Sequence, residues 1–153
     1  MITQFFECAI RYEKTLDSGM IKNVTEKYLV DALSFTEAEA RIIEQITPFV
    51  TGEFMVKDIK RTNISEIIDD KTGKSTGDYW FKVKLKFIML DEKTGAEKNS
   101  FSHVLVEASN IDDATENVNT AMNGTMCDYV VESVSLSQYI DVFIHKENRP
   151  SDK

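Results

Sequence analysis

KYLVDALSFTEAEARI, residues Lys27–Ile42, reads as a strand that runs directly into a helix. Tyr28, Val30 and Ala32 alternate onto one face, as a half-buried strand requires. Ser34 and Glu37 then fit a capping box, in which the serine hydroxyl caps free helix N–H groups and the glutamate reaches back. From Ala38 the apolar period changes: Ala38, Ile42, Ile46 and Phe49 fall on one helix face and are expected to meet a sheet. A second stretch, HVLVEASNIDDATENV at His103–Val118, repeats this pattern. Val30 aligns with Val106, Ala32 with Ala108, Ala38 with Ala114 and Ile42 with Val118, each pair 76 residues apart.

Working outward, the same order of elements surrounds both stretches. Phe6, Cys8, Ile10 and Tyr12 alternate in a strand over residues 4–12, Leu16–Gly19 supplies turn chemistry, and the next strand completes a hairpin. Pro48 and Gly52 close the first helix region, and strands follow over about 53–62 and 66–68. The second half reads as a strand over 79–89, a turn at Asp91–Gly95 and a strand over 99–108. A helix capped by Asn110 comes next, with Ala114, Val118, Ala121 and Met122 as its buried stripe and Gly124 as its stop. Strands over 128–136 and 139–144 finish the pattern. Between the halves, DDKTGKSTGD at Asp69–Asp78 has the composition of a linker.

The expected fold is therefore α+β: tandem duplicated ββαβ units, each an antiparallel sheet covered by one helix, related by a pseudo-twofold axis. The expected division is 1–68 for the first unit, 69–78 for the linker, 79–144 for the second unit and 145–153 for a flexible tail.

Composition sets bounds on function. The chain of 153 residues has a net charge of −8, which argues against bulk attraction to nucleic acid or an anionic membrane. Divided after Ser75, the halves hold 10 basic with 13 acidic and 8 basic with 13 acidic residues, so neither is a basic module. The N-terminal residues lack a basic-then-apolar signal pattern, and no apolar run has membrane-spanning length. Cys8 and Cys127 are the only cysteines and read as reduced thiols. A cytoplasmic location is expected, bacterial or in the host cytoplasm if phage-encoded, with no membrane association.

The blocks YLVDALSFTEAEAR, YWFKVKLKF with its DEKTG turn, and GTMCDYVVESVS resemble an uncharacterised domain-of-unknown-function family. Its members are of similar length and come from Bacteroides-group bacteria and their phages. The resemblance spans nearly the whole chain and implies no activity and no catalytic residues.

The residues that bear chemistry give no catalytic or metal motif. His103 and His145 lack partners at metal-ligand spacing. Cys8 reads as a small core residue, and Cys127 has no base beside it in sequence. The acidic pairs sit where helix caps and solvated loops account for them. Gly73-Lys74-Ser75 lacks the upstream glycine of a phosphate loop. No cofactor is expected, and the chain reads as non-enzymatic.

One face stands out. Trp80, Lys82, Lys84 and Lys86 alternate outward on one strand, with Phe101 and His103 on its hairpin partner. Aromatics interleaved with lysines on a sheet are the chemistry of single-stranded nucleic-acid platforms. The competing reading is packing. Trp80 and Leu105 correspond to Phe5 and Leu29 in the first half, and shared outward apolar positions suit contacts between the halves or between subunits. The expected function is binding or assembly through exposed sheet faces or edges, with a homodimer as the expected state and another protein as an open partner. The alternatives are a single-stranded nucleic-acid accessory protein, and a small-nucleotide or anionic-ligand binder or small enzyme in a cleft between the repeats.

Overall fold

The computed structural model describes residues 4–69, 79–125 and 127–144. Ten elements follow in order: β1 (Gln4–Thr15), β2 (Ile21–Ala32), α1 (Phe35–Ile46), β3 (Phe54–Arg61), β4 (Ile64–Ile68), β5 (Tyr79–Leu90), β6 (Glu97–Ala108), α2 (Ile111–Ala121), β7 (Asp128–Leu136) and β8 (Tyr139–Phe143). They make two four-stranded sheets and two helices, an α+β fold. The expected linker lies outside the described residues except for Asp69, and the tail lies wholly outside them.

The first sheet has the order β3-β1-β2-β8. β1 and β2 pair in register from Gln4↔Ala32 to Thr15↔Ile21, and Gly19, at φ 86°, makes the turn a side chain would strain. Phe6, Cys8 and Ile10 alternate with Tyr28, Val30 and Ala32 onto the face that α1 covers with Ala38, Ile42 and Ile46. The helix begins where its cap dictates, with the Ser34 side chain accepting the Glu37 N–H at 3.2 Å. Phe49 does not join this stripe. The helix caps at Thr47, so the helical period has ended before Phe49, which is 76% exposed.

The second sheet has the order β4-β6-β5-β7. Phe81, Val83 and Leu85 with Val104, Val106 and Ala108 face Ala114 and Val118 of α2. Asn110 caps α2 by accepting the Asp113 N–H at 2.8 Å. Ala121, expected in the buried stripe, is exposed. Asn117, a polar residue, is buried instead, because its amide donates to the Glu107 carbonyl at 3.0 Å. Arg41 holds the corresponding place on α1 and donates to the Asp31 carbonyl and carboxylate. Each helix is thus tied to the strand before it by a side chain that satisfies a strand carbonyl.

The expected units need correction at both ends. β4 was assigned to the first unit, yet it pairs in parallel with β6, from Ile64↔His103 to Ile68↔Val106. β8 was assigned to the second, yet it pairs in parallel with β2, from Lys27↔Tyr139 to Val30↔Phe143. The described residues of 4–62 together with 139–144 form one compact unit, and the described residues of 63–138 the other. The reason is reach. The slot beside β2 lies three strand spacings from β3, about 14 Å. Only Thr62 and Asn63 separate β3 from β4, and the three steps from Arg61 to Ile64 extend about 11 Å at most. β4 therefore cannot fill the open edge beside β2 in its own sheet. Thr62 fixes the departure point, its N–H and hydroxyl both donating to the Phe5 carbonyl at 3.0 and 2.8 Å. Ser137 does the same before β8, its N–H donating to the Trp80 carbonyl at 2.9 Å.

Candidate binding face on the second sheet

The face of the second sheet opposite α2 carries the residues singled out above. Alternation along β5 sends Phe81, Val83 and Leu85 to the helix, so Trp80, Lys82, Lys84 and Lys86 point the other way. Cross-strand pairing sets rows across this face: Leu105 opposite Lys82, His103 opposite Lys84, and Phe101 opposite Lys86. On the other side of β5, Lys86 pairs with Val130.

The face is divided. At its inner end Trp80 is 7% exposed and Leu105 is fully buried. Trp80 is therefore no stacking platform, which corrects its place in the nucleic-acid reading: its indole faces are covered. In the first unit Leu29 is likewise fully buried and Phe5 half-buried. All four candidate packing residues are thus wholly or partly covered. Lys82, Lys84, Lys86 and His103 are half-buried. The buried indole and Leu105 stand apart from the helix-side core of their sheet, so both faces of β5 carry covered apolar side chains.

At its outer end the face is open. Phe101 is 52% and Val130 48% exposed, on either side of Lys86 in one row. Leu90, at the hairpin tip, is 71% exposed. The Lys84 ammonium lies 4.6 Å from the Phe101 ring centroid and 3.4 Å from a Glu132 carboxylate oxygen. The first contact is a cation–π pair, and the second an exposed ion pair worth little by itself. Asp128 sits opposite Ile88, one row further out. Cations, acids and apolar side chains thus share one small area.

Elsewhere, three tyrosines and a cysteine lie beside carboxylates. Tyr12 and Tyr28 both donate to one oxygen of Glu26, at 2.6 and 3.1 Å. The bond to Glu26 pushes the Tyr12 phenol up to about 12, and burial together with Glu26 raises Tyr28. Tyr139 donates to Glu7 at 3.0 Å and is raised by burial and that carboxylate. Burial, with Glu7 beside it, pushes the Cys8 thiol up to about 12. At pH 8 a thiol alkylating reagent is therefore expected to modify exposed Cys127 and spare Cys8. Mass spectrometry finding two modified cysteines per native chain would contradict that. An open groove of about 600 Å³ lies beside Arg11, Glu13, Asn23, Gly52 and Met55 and carries charges of both signs. Among the described residues no three or more His, Cys, Asp or Glu side chains gather as a metal site. No helix among them is long and apolar enough to cross a membrane.

The two sheets and two helices define an α+β fold. A family model matches residues 4–146, and the chain belongs to that family, the domain of unknown function DUF4494. No curated protein and no solved structure matches it.

Proposed function

We propose that this chain is a duplicated, non-enzymatic assembly protein that associates with a second copy of itself through the outer end of the second sheet's helix-free face. The observation that carries the proposal is the exposed row Phe101–Lys86–Val130. This row is self-complementary. In a twofold contact the apolar side chains meet one another, while Lys86 of each copy meets Asp128 or Glu132 of the other. Phe101 is of the aromatic type enriched at interface centres, and the charges around it suit a polar rim.

Duplication is supported by register. β1 and β3 pair from Phe6↔Arg61, with an extra residue, Lys57, between the partners of Ala9 and Ile10. β5 and β7 pair from Phe81↔Leu136, with Glu132 as the extra residue at the equivalent place, 75 positions on from Lys57. Two unrelated sheets have no reason to share a bulge at the same rung. These bulges also favour face over edge as the contact. β3 and β7 carry bulges at charged residues, while β4 and β8 are only 5 residues long. Short strands, bulges and edge charges all discourage edge pairing.

The test is sedimentation equilibrium across the micromolar range. The native chain is expected above its monomer mass of 17.5 kDa, and Phe101→Asp is expected to weaken association by about 30-fold, a central hot-spot loss of roughly 2 kcal/mol. A 17.5 kDa species at every concentration, or tight single-stranded oligonucleotide binding lost in Phe101→Asp, would overturn the reading.

A further inference from the structure

We infer that the slot beside β2 is an acceptor for an extended apolar strand, and that β8 of a second copy fills it in a strand-exchanged dimer. The starting point is that the first sheet is completed by β8, which the chain delivers only after passing through the whole of the second unit. The two slots are built alike. In both, a five-residue strand lies parallel to the second strand of the hairpin, with one extra residue near its start: Ile140 against β2, Ser65 against β6.

Three described interactions seat β8 on the first unit. The Tyr139 hydroxyl donates to Glu7 at 3.0 Å. The Phe143 ring stacks on Tyr28, with centroids 5.7 Å apart and planes 20° from parallel. Backbone pairing runs along Lys27–Val30. None of these contacts depends on which copy supplies the strand, so a donor from a second chain makes the same set. β8 is joined to β7 by only two residues, Ser137 and Gln138. Short hinges favour exchange between copies, because the exchanged form extends the hinge, giving up the Ser137 bond to the Trp80 carbonyl, while the strand keeps its own contacts in the slot.

Mass action sets when the exchanged form appears. Within one chain the donor strand is present at an effective concentration of about millimolar. The closed monomer therefore dominates in dilute solution, and chains refolded together at high concentration capture one another's β8. Once formed, the exchanged dimer persists on dilution, since reversal requires β8 to leave its slot.

The test uses two full-length chains in a Cys127→Ser background, one carrying Leu29→Cys and the other Val142→Cys. Leu29 is fully buried and pairs with Val142, so a cysteine there is reached only by a strand seated in the slot, and neighbouring strands suit disulfide geometry. The control is the chain that carries both substitutions, which closes a bond within itself when β8 sits as described. Unfolding the two single variants together, refolding and oxidising them is expected to give a disulfide-linked heterodimer. In the dilute regime its fraction should rise about tenfold per tenfold increase in refolding concentration, and it should be far lower when already folded chains are mixed. Heterodimer that forms equally at all concentrations, or no heterodimer while the control closes internally, would overturn the inference. So would failure of the control, because the slot itself would then be wrong. The same heterodimer should form in a Phe101→Asp background, which separates this exchange from association through the second sheet's face.

Discussion

Arg41→Ala is expected to destabilise the fold by about 3 kcal/mol, the low end of the range for breaking a buried ion pair. Asp31 is fully buried on β2, with the Arg41 guanidinium 2.5 Å from its carboxylate and also donating to its backbone carbonyl. Removing the guanidinium leaves a carboxylate in the interior without its main counter-charge. The low end applies because Asp31 keeps a further interaction and because a truncated side chain lets water approach from the partly exposed Arg41 site. Glu37, 3.9 Å from the same guanidinium and more exposed, adds little. In a domain of this size the change corresponds to a fall in Tm of roughly 6–12 °C. Asn117→Ala, at the equivalent place on α2, removes a neutral hydrogen bond to the Glu107 carbonyl and should cost about 1–2 kcal/mol. Replacing both members of the ion pair with apolar residues, Asp31→Val with Arg41→Leu, should recover much of the loss. Urea unfolding curves for the three variants and the native chain decide the matter. An Arg41→Ala curve within 1 kcal/mol of native would show that the pair does not anchor α1.

How much of this was legible in the sequence divides by range. Local signals held. The alternation over 4–12 and 79–89, the caps at Ser34 and Asn110 and the turn glycines placed every helix and hairpin near its observed position, because each depends on neighbours a few residues away. The period switch at Ala38 marked the helix face, though not its end: Phe49 continues the spacing but lies beyond the Thr47 cap. Asn117 was missed because a buried amide reads as a surface residue until its carbonyl partner is known. The destination of the short strands was missed for a different reason. ISEII and YIDVF say strand, and nothing in five residues says which sheet. A usable signal did exist: a two-residue link from β3 is too short to reach the far edge of the same sheet. For the candidate face, pattern gave the rows and not their exposure. Lys82, Lys84 and Lys86 suggested solvent, yet the large apolar side chains among and opposite them, Trp80 and Leu105, are covered. The recurrence of apolar residues at Phe5, Leu29, Trp80 and Leu105 was the better guide to that burial than the lysines between them.

Substitutions in the two short strands are expected to loosen the sheet each pairs with, not the sheet each directly follows in the chain. Ile68 in β4 packs in the core beneath α2, with Val104 and Val106 of β6. Ile68→Ala should cost about 2–4 kcal/mol through lost contact and a residual cavity. The loss should appear as faster amide exchange in β5 and β6 rather than in β1 and β2, although Ile68 follows β3 in the chain. Tyr139→Ala with Phe143→Ala should do the reverse. Tyr139 is 8% exposed and bonded to Glu7, and Phe143 stacks on Tyr28. Burial of two aromatic side chains and one ring pair together are worth on the order of 4 kcal/mol, and the protection lost should be that of Lys27–Val30 and the β1 strand beside it. Ending the chain after Gln138 goes further, since it also strips the ladder from β2 and leaves its backbone groups as an open edge. Such an edge invites pairing between copies, so the truncated chain should lose its first sheet's protection and aggregate at concentrations where the native chain stays dispersed. Loss on the order of 5 kcal/mol would consume the entire stability of many domains. Residue-resolved hydrogen exchange reads both arms at once. If Ile68→Ala opened β1 and β2 and left β5 and β6 protected, β4 would belong to the sheet it follows, and the exchange of strands between the units would be refuted.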